Sequence, residues 1–174
     1  MKRTTLLIVA VGALAGAVAL TARASRPAHQ VDTPAFVTEM PEGYREWRFI
    51  SVAHEEANLN SFASVLGNDV AIKAYREGQL PFPDGAIIAA LHYKFVPSAE
   101  NNKAFGRDQS FVAGAPTNIQ FMIKDSKKYA ATGGWGFGHF NNDGKTVDGA
   151  FMKTCFPCHN QIKARDLVFT RYAQ

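Results

Sequence analysis

Cysteine is scarce in this chain of 174 residues, which contains only two. Such a small number excludes the dense disulfide framework of a small secreted domain. Both cysteines lie in one short stretch, Cys155-Phe156-Pro157-Cys158, and no second Cys/His pair at ligand spacing accompanies them. A structural zinc site needs a closed tetrahedral set of Cys and His ligands, so the sequence argues against one. Because both cysteines of the chain lie in this single stretch, it is the candidate functional site.

Charge of one sign is also scarce once the N-terminus is set aside. The formal net charge is +4, and Lys2, Arg3 and Arg23 supply three of the positive charges within the first 24 residues, where there is no acidic residue. Subtracting these three leaves a charge of +1. A nearly neutral chain has no electrostatic attraction for a polyanion, so we predict no nucleic-acid partner.

The N-terminus has the order of a secretory signal peptide. The basic residues Lys2 and Arg3 precede an uninterrupted apolar run from Leu6 to Leu20, and a small-x-small pattern ends at Ala24. The sequence therefore predicts a signal peptide over residues 1–24 that is cleaved on export to the periplasm. A membrane anchor that stays uncleaved is the alternative, although the apolar run is shorter than the roughly 20 residues that span a bilayer.

The two cysteines and the residue that follows them, His159, form the attachment signature of a c-type haem. Each thiol can form a thioether bond with one haem vinyl group, and the spacing lets Cys155 and Cys158 reach the same edge of the porphyrin. His159 can then bind the iron as the proximal ligand. The motif predicts one covalently attached haem c with its iron. A thioredoxin-like redox pair lacks room for its fold so near the C-terminus, and a plain disulfide gives His159 no role.

The rest of the chain predicts an α+β domain, an antiparallel β-sheet with a few short helices, over residues 44–174, after an extended lead-in over residues 25–43. Alternating or apolar segments predict strands over residues 47–52, 62–66, 86–96, 118–124 and 135–140. A helix is predicted over Asp69–Glu77, with Asn68 as its N-cap and Gly78 just past its end. The remaining segments are predicted as a loop over residues 97–109, the start of a short helix at 125–128, a helical segment carrying the cysteines and an extended tail over 166–172.

The residue on the other side of the iron would decide the function. A protein ligand there makes an electron carrier, whereas an open position makes a gas binder or an enzyme. The candidate distal or pocket residues lie on predicted strands: His92, His139, Met122, Trp135 and Phe137. For each one, an ordinary place in the core or a simple hydrogen bond is the alternative.

Motifs across the C-terminal third resemble the cytochrome P-460 family. They are Gly134-Trp135-Gly136-Phe137, the stretch from Cys155 to His159, and Asp166-Leu167-Val168-Phe169-Thr170-Arg171-Tyr172. Phe82-Pro83-Asp84-Gly85 and Lys124-Asp125-Ser126-Lys127 are similar to the family as well. The resemblance covers most of the chain after the lead-in, from Tyr44 to Tyr172.

The resemblance implies a small periplasmic domain built on an antiparallel sheet, holding one haem and often forming a homodimer. Some members oxidise hydroxylamine and have a lysine cross-linked to the porphyrin; the cytochromes c′-beta lack this link, keep an apolar distal pocket and bind nitric oxide. The cross-linking lysine corresponds here to Ala90. We therefore expect a cytochrome that binds or converts nitric oxide or another small nitrogen oxide, with a periplasmic redox partner. A hydroxylamine-oxidising enzyme and an electron carrier with a sixth ligand are the alternatives.

Overall fold

The computed structural model describes residues 36–173. The predicted signal peptide over residues 1–24 and the first part of the lead-in lie outside the described residues, so the structure does not bear on them. Within residues 36–173, none of the helices has the length and apolar character needed to cross a bilayer.

The fold is organised around a five-stranded antiparallel sheet in which every strand pairs with its neighbours in the sequence. The strands are β1 Arg48–Glu55, β2 Ser61–Gly67, β3 Ile87–Pro97, β4 Phe111–Lys124 and β5 Trp135–Asn141. The register pairs Val65 with Ala90 and Ala90 with Gln120 across the three central strands. Directly paired residues point to the same face, so these three side chains lie on one face of the sheet. The predicted α+β class is confirmed.

Four short α-helices accompany the sheet in the described part of the chain: α1 Asp69–Glu77, α2 Ala99–Phe105, α3 Gly149–Met152 and α4 Cys155–His159. Single 3-10 turns lie at Tyr44–Glu46 and Ala130–Thr132, and a longer 3-10 segment, Asn160–Arg165, follows α4. Helix α1 has the predicted bounds, because the Asn68 side chain accepts a hydrogen bond from the Ala71 N–H and Gly78 ends the helix in a left-handed conformation.

Each face of the sheet has its own hydrophobic core. On one face, α1 packs Ala71 and Ile72 against Val65 and Ile88, and Trp135 is fully buried nearby. On the other face, Leu91, Ile119 and Phe121 pack with Phe140 and Tyr129. The first face also carries the cavity described below, so its core is continuous with the candidate site.

Three predictions along the chain were wrong. The segment 97–109 is not only a loop, since it contains α2, which is capped by the Ser98 side chain and ended by Gly106. Strand β4 begins at Phe111, well before residue 118, because Pro116 falls at an irregularity in the β3–β4 register, where a proline is tolerated. The segment after Lys124 forms a turn and then the 3-10 helix at Ala130–Thr132.

Candidate functional site

A cavity of about 620 Å³ lies between one face of the sheet and the C-terminal segment. Its volume is in the range of about 300–1,000 Å³ that is usual for small-molecule and cofactor sites. All five strands contribute to one wall, and the opposite wall comes from the segment between Phe151 and Arg171. We call these the sheet wall and the C-terminal wall.

Helix α4 brings the three residues of the predicted attachment motif to the cavity. Cys155, Cys158 and His159 all line it, and both thiols are free. Their i, i+3 and i+4 spacing places them on one face of a helix, so the two thiols and the imidazole can address a single bound group. Burial raises the pKa of the Cys155 thiol, which keeps it in the neutral form.

The orientation of His159 is fixed by the backbone. Its Nδ1 lies 2.7 Å from the carbonyl oxygen of Leu167. A carbonyl oxygen can only accept, so Nδ1 carries the proton and donates it, which leaves the Nε2 lone pair free for a metal. Burial also lowers the pKa of His159, and a neutral imidazole is the form that binds metals.

Aromatic rings hold the same imidazole from two sides. The centroid of the Phe137 ring lies 4.9 Å from that of His159, and the centroid of the Phe169 ring lies 5.0 Å away. Phe137 comes from β5 and Phe169 from the C-terminal segment. The ring of His159 is therefore positioned by contacts from both walls as well as by its hydrogen bond.

The Leu167 carbonyl is in turn positioned by an unusual backbone turn. Asp166 and Leu167 have φ values of 50° and 65°, so the predicted extended tail begins with two left-handed residues. Each non-glycine residue in this conformation costs roughly 1–2 kcal/mol. The turn persists because Asp166 is tied down by other groups.

Asp166 anchors the turn through a largely buried ion pair with Lys124. The Lys124 Nζ donates to Oδ1 at 2.8 Å and to Oδ2 at 2.9 Å, and the side chains are 6% and 12% exposed. Asp166 Oδ2 also accepts from the backbone N–H of Phe82 at 2.8 Å. The pair thus joins β4 and the loop before β3 to the segment that orients His159.

Three alanines contribute to the sheet wall, one from each of the first three strands. Ala53, Ala63 and Ala90 line the cavity from β1, β2 and β3, and the register pairs Ala53 directly with Ala63. Residues that end at Cβ leave open space above the sheet. This row of alanines supplies the room that a flat cofactor and a small ligand would need.

The sheet wall also contributes two histidines to the cavity. His92 is 7% exposed, and its Nε2 has no hydrogen-bond partner among the described residues. His139 is half-buried and its ring contacts the Phe151 ring edge-on, with centroids 4.9 Å apart. Burial lowers the pKa of both imidazoles, and the nearby His92 lowers that of His139 further.

The donor set fits a c-type haem. Two free thiols and a neutral imidazole share one helix face, the imidazole has its metal-binding nitrogen free, and the opposite wall offers alanines and an unpartnered imidazole nitrogen. The comparison with known proteins agrees with this chemistry, because the sequence profile described as Cytochrome P460 matches residues 41–170. The chain belongs to the cytochrome P460 family. No curated protein matches the chain.

Membership of the cytochrome P460 family implies a haem-binding c-type cytochrome with iron in the haem. Of the five pocket candidates predicted from the sequence, four line the cavity: His92, His139, Met122 and Phe137. Trp135 does not; it is fully buried beside Phe82, with ring centroids 5.6 Å apart, and the Lys124 Nζ lies 5.0 Å from its ring centroid. Trp135 therefore supports the Lys124–Asp166 pair from the core.

For this cytochrome P460 family member, sequence reasoning missed the residues that position His159. The role of the Leu167 carbonyl depends on a left-handed turn, and the Lys124–Asp166 pair joins residues 42 positions apart. The only signal was indirect, since a lysine near the end of an apolar strand pattern is unusual and demands a partner if it is buried. That signal identifies Lys124 but not Asp166.

Proposed function

We propose that this protein is an exported mono-haem c-type cytochrome that binds or converts a small nitrogen oxide, such as nitric oxide. Cys155 and Cys158 hold the haem through two thioether bonds, and His159 Nε2 binds the iron. The observation that carries the proposal is the hydrogen bond from His159 Nδ1 to Leu167, together with the two thiols on the same helix face. The bound iron supplies a coordination position for the small ligand.

Other residues around the cavity orient His159, leave space for the cofactor and its ligand, and supply a positive charge. The Leu167 carbonyl keeps the proton on Nδ1 of His159 and thus keeps Nε2 available. The alanines of the sheet wall leave space, and Phe137, Phe151 and Phe169 give the cavity an apolar lining. Arg171 lines the cavity and supplies a positive charge for the acidic groups of the cofactor.

The position that corresponds to the cross-linking lysine supports ligand binding over hydroxylamine oxidation. Ala90 lines the cavity there, and among the residues 36–173 no lysine does. Lys94, on the same face of β3, is exposed and is not part of the lining. Export, a periplasmic redox partner and a homodimer stay predictions.

Expression of the whole chain with a c-type maturation system tests the proposal. We expect an intact mass equal to the cleaved polypeptide plus one haem, and a reduced spectrum of a five-coordinate haem that changes on addition of nitric oxide. A Cys155→Ala/Cys158→Ala variant is the control and should lack covalent haem. A mass or spectrum that reports a protein–porphyrin cross-link would favour the enzyme, and a six-coordinate low-spin reduced haem would favour the electron carrier. Absence of haem would overturn the proposal.

A further inference from the structure

His92 is the one histidine of the sheet wall whose ring has a buried nitrogen without a partner in the described part of the chain. Leaving a buried polar group unpaired destabilises the folded state, because the group loses its hydrogen bonds to water and gains none. Native structures rarely leave such a group without a partner. His92 is 7% exposed and lines the cavity, so any partner for Nε2 has to come from what the cavity binds or from a water within it.

The neighbouring polar groups do not serve as that partner. The register places His92 opposite Ala63 on β2 and opposite Asn118 on β4. The Ala63 side chain has no polar atom, and the Asn118 side chain accepts from Gln120 Nε2 at 3.2 Å and donates to Thr117 Oγ1 at 3.3 Å. The amides of β4 are thus paired with one another, and the imidazole is left over.

The small residues around His92 make its ring the group that a bound ligand would meet. Ala63 is its direct neighbour on β2, and Ala90 precedes it on the same face of β3. Neither side chain extends beyond Cβ, so neither can shield the ring. The imidazole therefore borders the space that the alanines leave open.

We propose that His92 selects the ligand, by donating a hydrogen bond from its imidazole to a small nitrogen compound that carries an accepting oxygen. The inference rests on the proposed function and narrows it, from diatomic gases towards ligands of the nitrite type. A site with a buried donor binds a ligand that pairs with the donor and rejects an analogue that leaves it unpaired. Carbon monoxide, which accepts hydrogen bonds poorly, is such an analogue.

The test compares holoprotein carrying His92→Phe with the unaltered protein. Phenylalanine keeps a ring of similar size and removes the donor. We expect nitrite affinity of the oxidised protein to fall at least about 10-fold, the factor that corresponds to about 1.4 kcal/mol, while carbon monoxide affinity of the reduced protein changes by less than about 3-fold. The stretching frequency of bound carbon monoxide should also shift, because it reports the polarity around the ligand.

Two further variants make the result specific. His92→Gln retains a donor and should recover most of the nitrite affinity. His54→Phe makes the same chemical change at an exposed residue that does not line the cavity, and should leave both affinities unchanged. If His92→Phe does not fold, His92→Leu removes the donor with a smaller side chain.

Four outcomes would overturn the inference. Equal losses for nitrite and carbon monoxide would mean that His92 only shapes the cavity. A low-spin haem in the unaltered protein that becomes high-spin in His92→Phe would make His92 an iron ligand. If the unaltered protein bound no added ligand at all, the proposed function itself would fail and the inference with it, whereas ligand binding that is indifferent to His92 would reject the inference alone.

Discussion

The two walls of the cavity differ in how completely their polar groups are paired. On the C-terminal wall, His159 Nδ1 donates to Leu167, and both carboxylate oxygens of Asp166 are engaged by Lys124. On the sheet wall, His92 Nε2 is buried with no partner among the described residues, beside Ala63, whose side chain cannot provide one. The polar groups of the C-terminal wall are paired before anything binds, whereas the sheet wall keeps one imidazole nitrogen that only a bound ligand could pair.

The difference indicates a division of labour. A metal-binding imidazole has to be held in one tautomer and one orientation, which the C-terminal wall provides at the cost of two left-handed residues. A ligand-recognising imidazole needs an unpaired group, which the sheet wall retains at a cost of about 1–3 kcal/mol. The predictions below test this contrast.

The largest expected effect is on the C-terminal wall, with His159→Gly. The thioether bonds depend on Cys155 and Cys158, so we expect the haem to stay attached while its iron loses the protein imidazole. The optical spectrum of the reduced protein should lose the signature of imidazole ligation and recover it when free imidazole is added. His139→Gly, on the sheet wall, is the matched control and should keep that signature. Unchanged ligation in His159→Gly would refute the assignment of the proximal ligand.

A smaller but still large effect is expected at the ion pair behind His159. Asp166→Asn leaves the Lys124 charge in a site that is 6% exposed, and removing one partner of a buried pair costs about 3–5 kcal/mol. Denaturant unfolding of the holoprotein measures this loss. The same variant should shift the iron–histidine stretching frequency, because Asp166 holds the turn that presents the Leu167 carbonyl.

Asp143→Asn is the matched control for that variant. It breaks the Lys145–Asp143 pair, whose side chains are 81% and 55% exposed, and exposed pairs contribute little. We expect no measurable change in unfolding or in the vibrational spectrum. If Asp166→Asn were equally silent, the C-terminal wall would not be fixed by its ion pair.

The sequence predicted the parts of this contrast that depend on local patterns. Helix α1 followed from Asn68 and Gly78, and strand β3 followed from the apolar segment predicted as a strand over residues 86–96. The signal that defines α2 was also local, a Ser98 cap and Gly106, but the polar asparagine-rich segment between them suggested a loop.

The rest required three-dimensional information. The partner of Lys124 is 42 residues away, and no spacing rule connects the two. His92 could be named as a pocket candidate, but the absence of a partner for its Nε2 depends on Ala63 and Asn118 lying opposite on the adjacent strands. The attachment motif could be recognised from the sequence because all its members lie within five consecutive residues, Cys155–His159.

The smallest expected effect is a pH dependence that belongs to the sheet wall. Burial lowers the pKa of His92, and the charge of Glu55 opposes this shift less strongly. In the unfolded chain a histidine titrates near its ordinary pKa of about 6.5. Below that pH the unfolded chain takes up a proton that the folded chain resists, so stability is lost as the pH falls and is unaffected at higher pH.

We therefore expect the thermal unfolding temperature of the holoprotein to fall less steeply between about pH 6.5 and 5 in His92→Phe than in the unaltered protein. Above about pH 7 the two curves should run parallel, which provides an internal control. Equal slopes on the acidic side would mean that His92 already has a partner in the holoprotein that stabilises its protonated form, and the contrast between the two walls would then disappear.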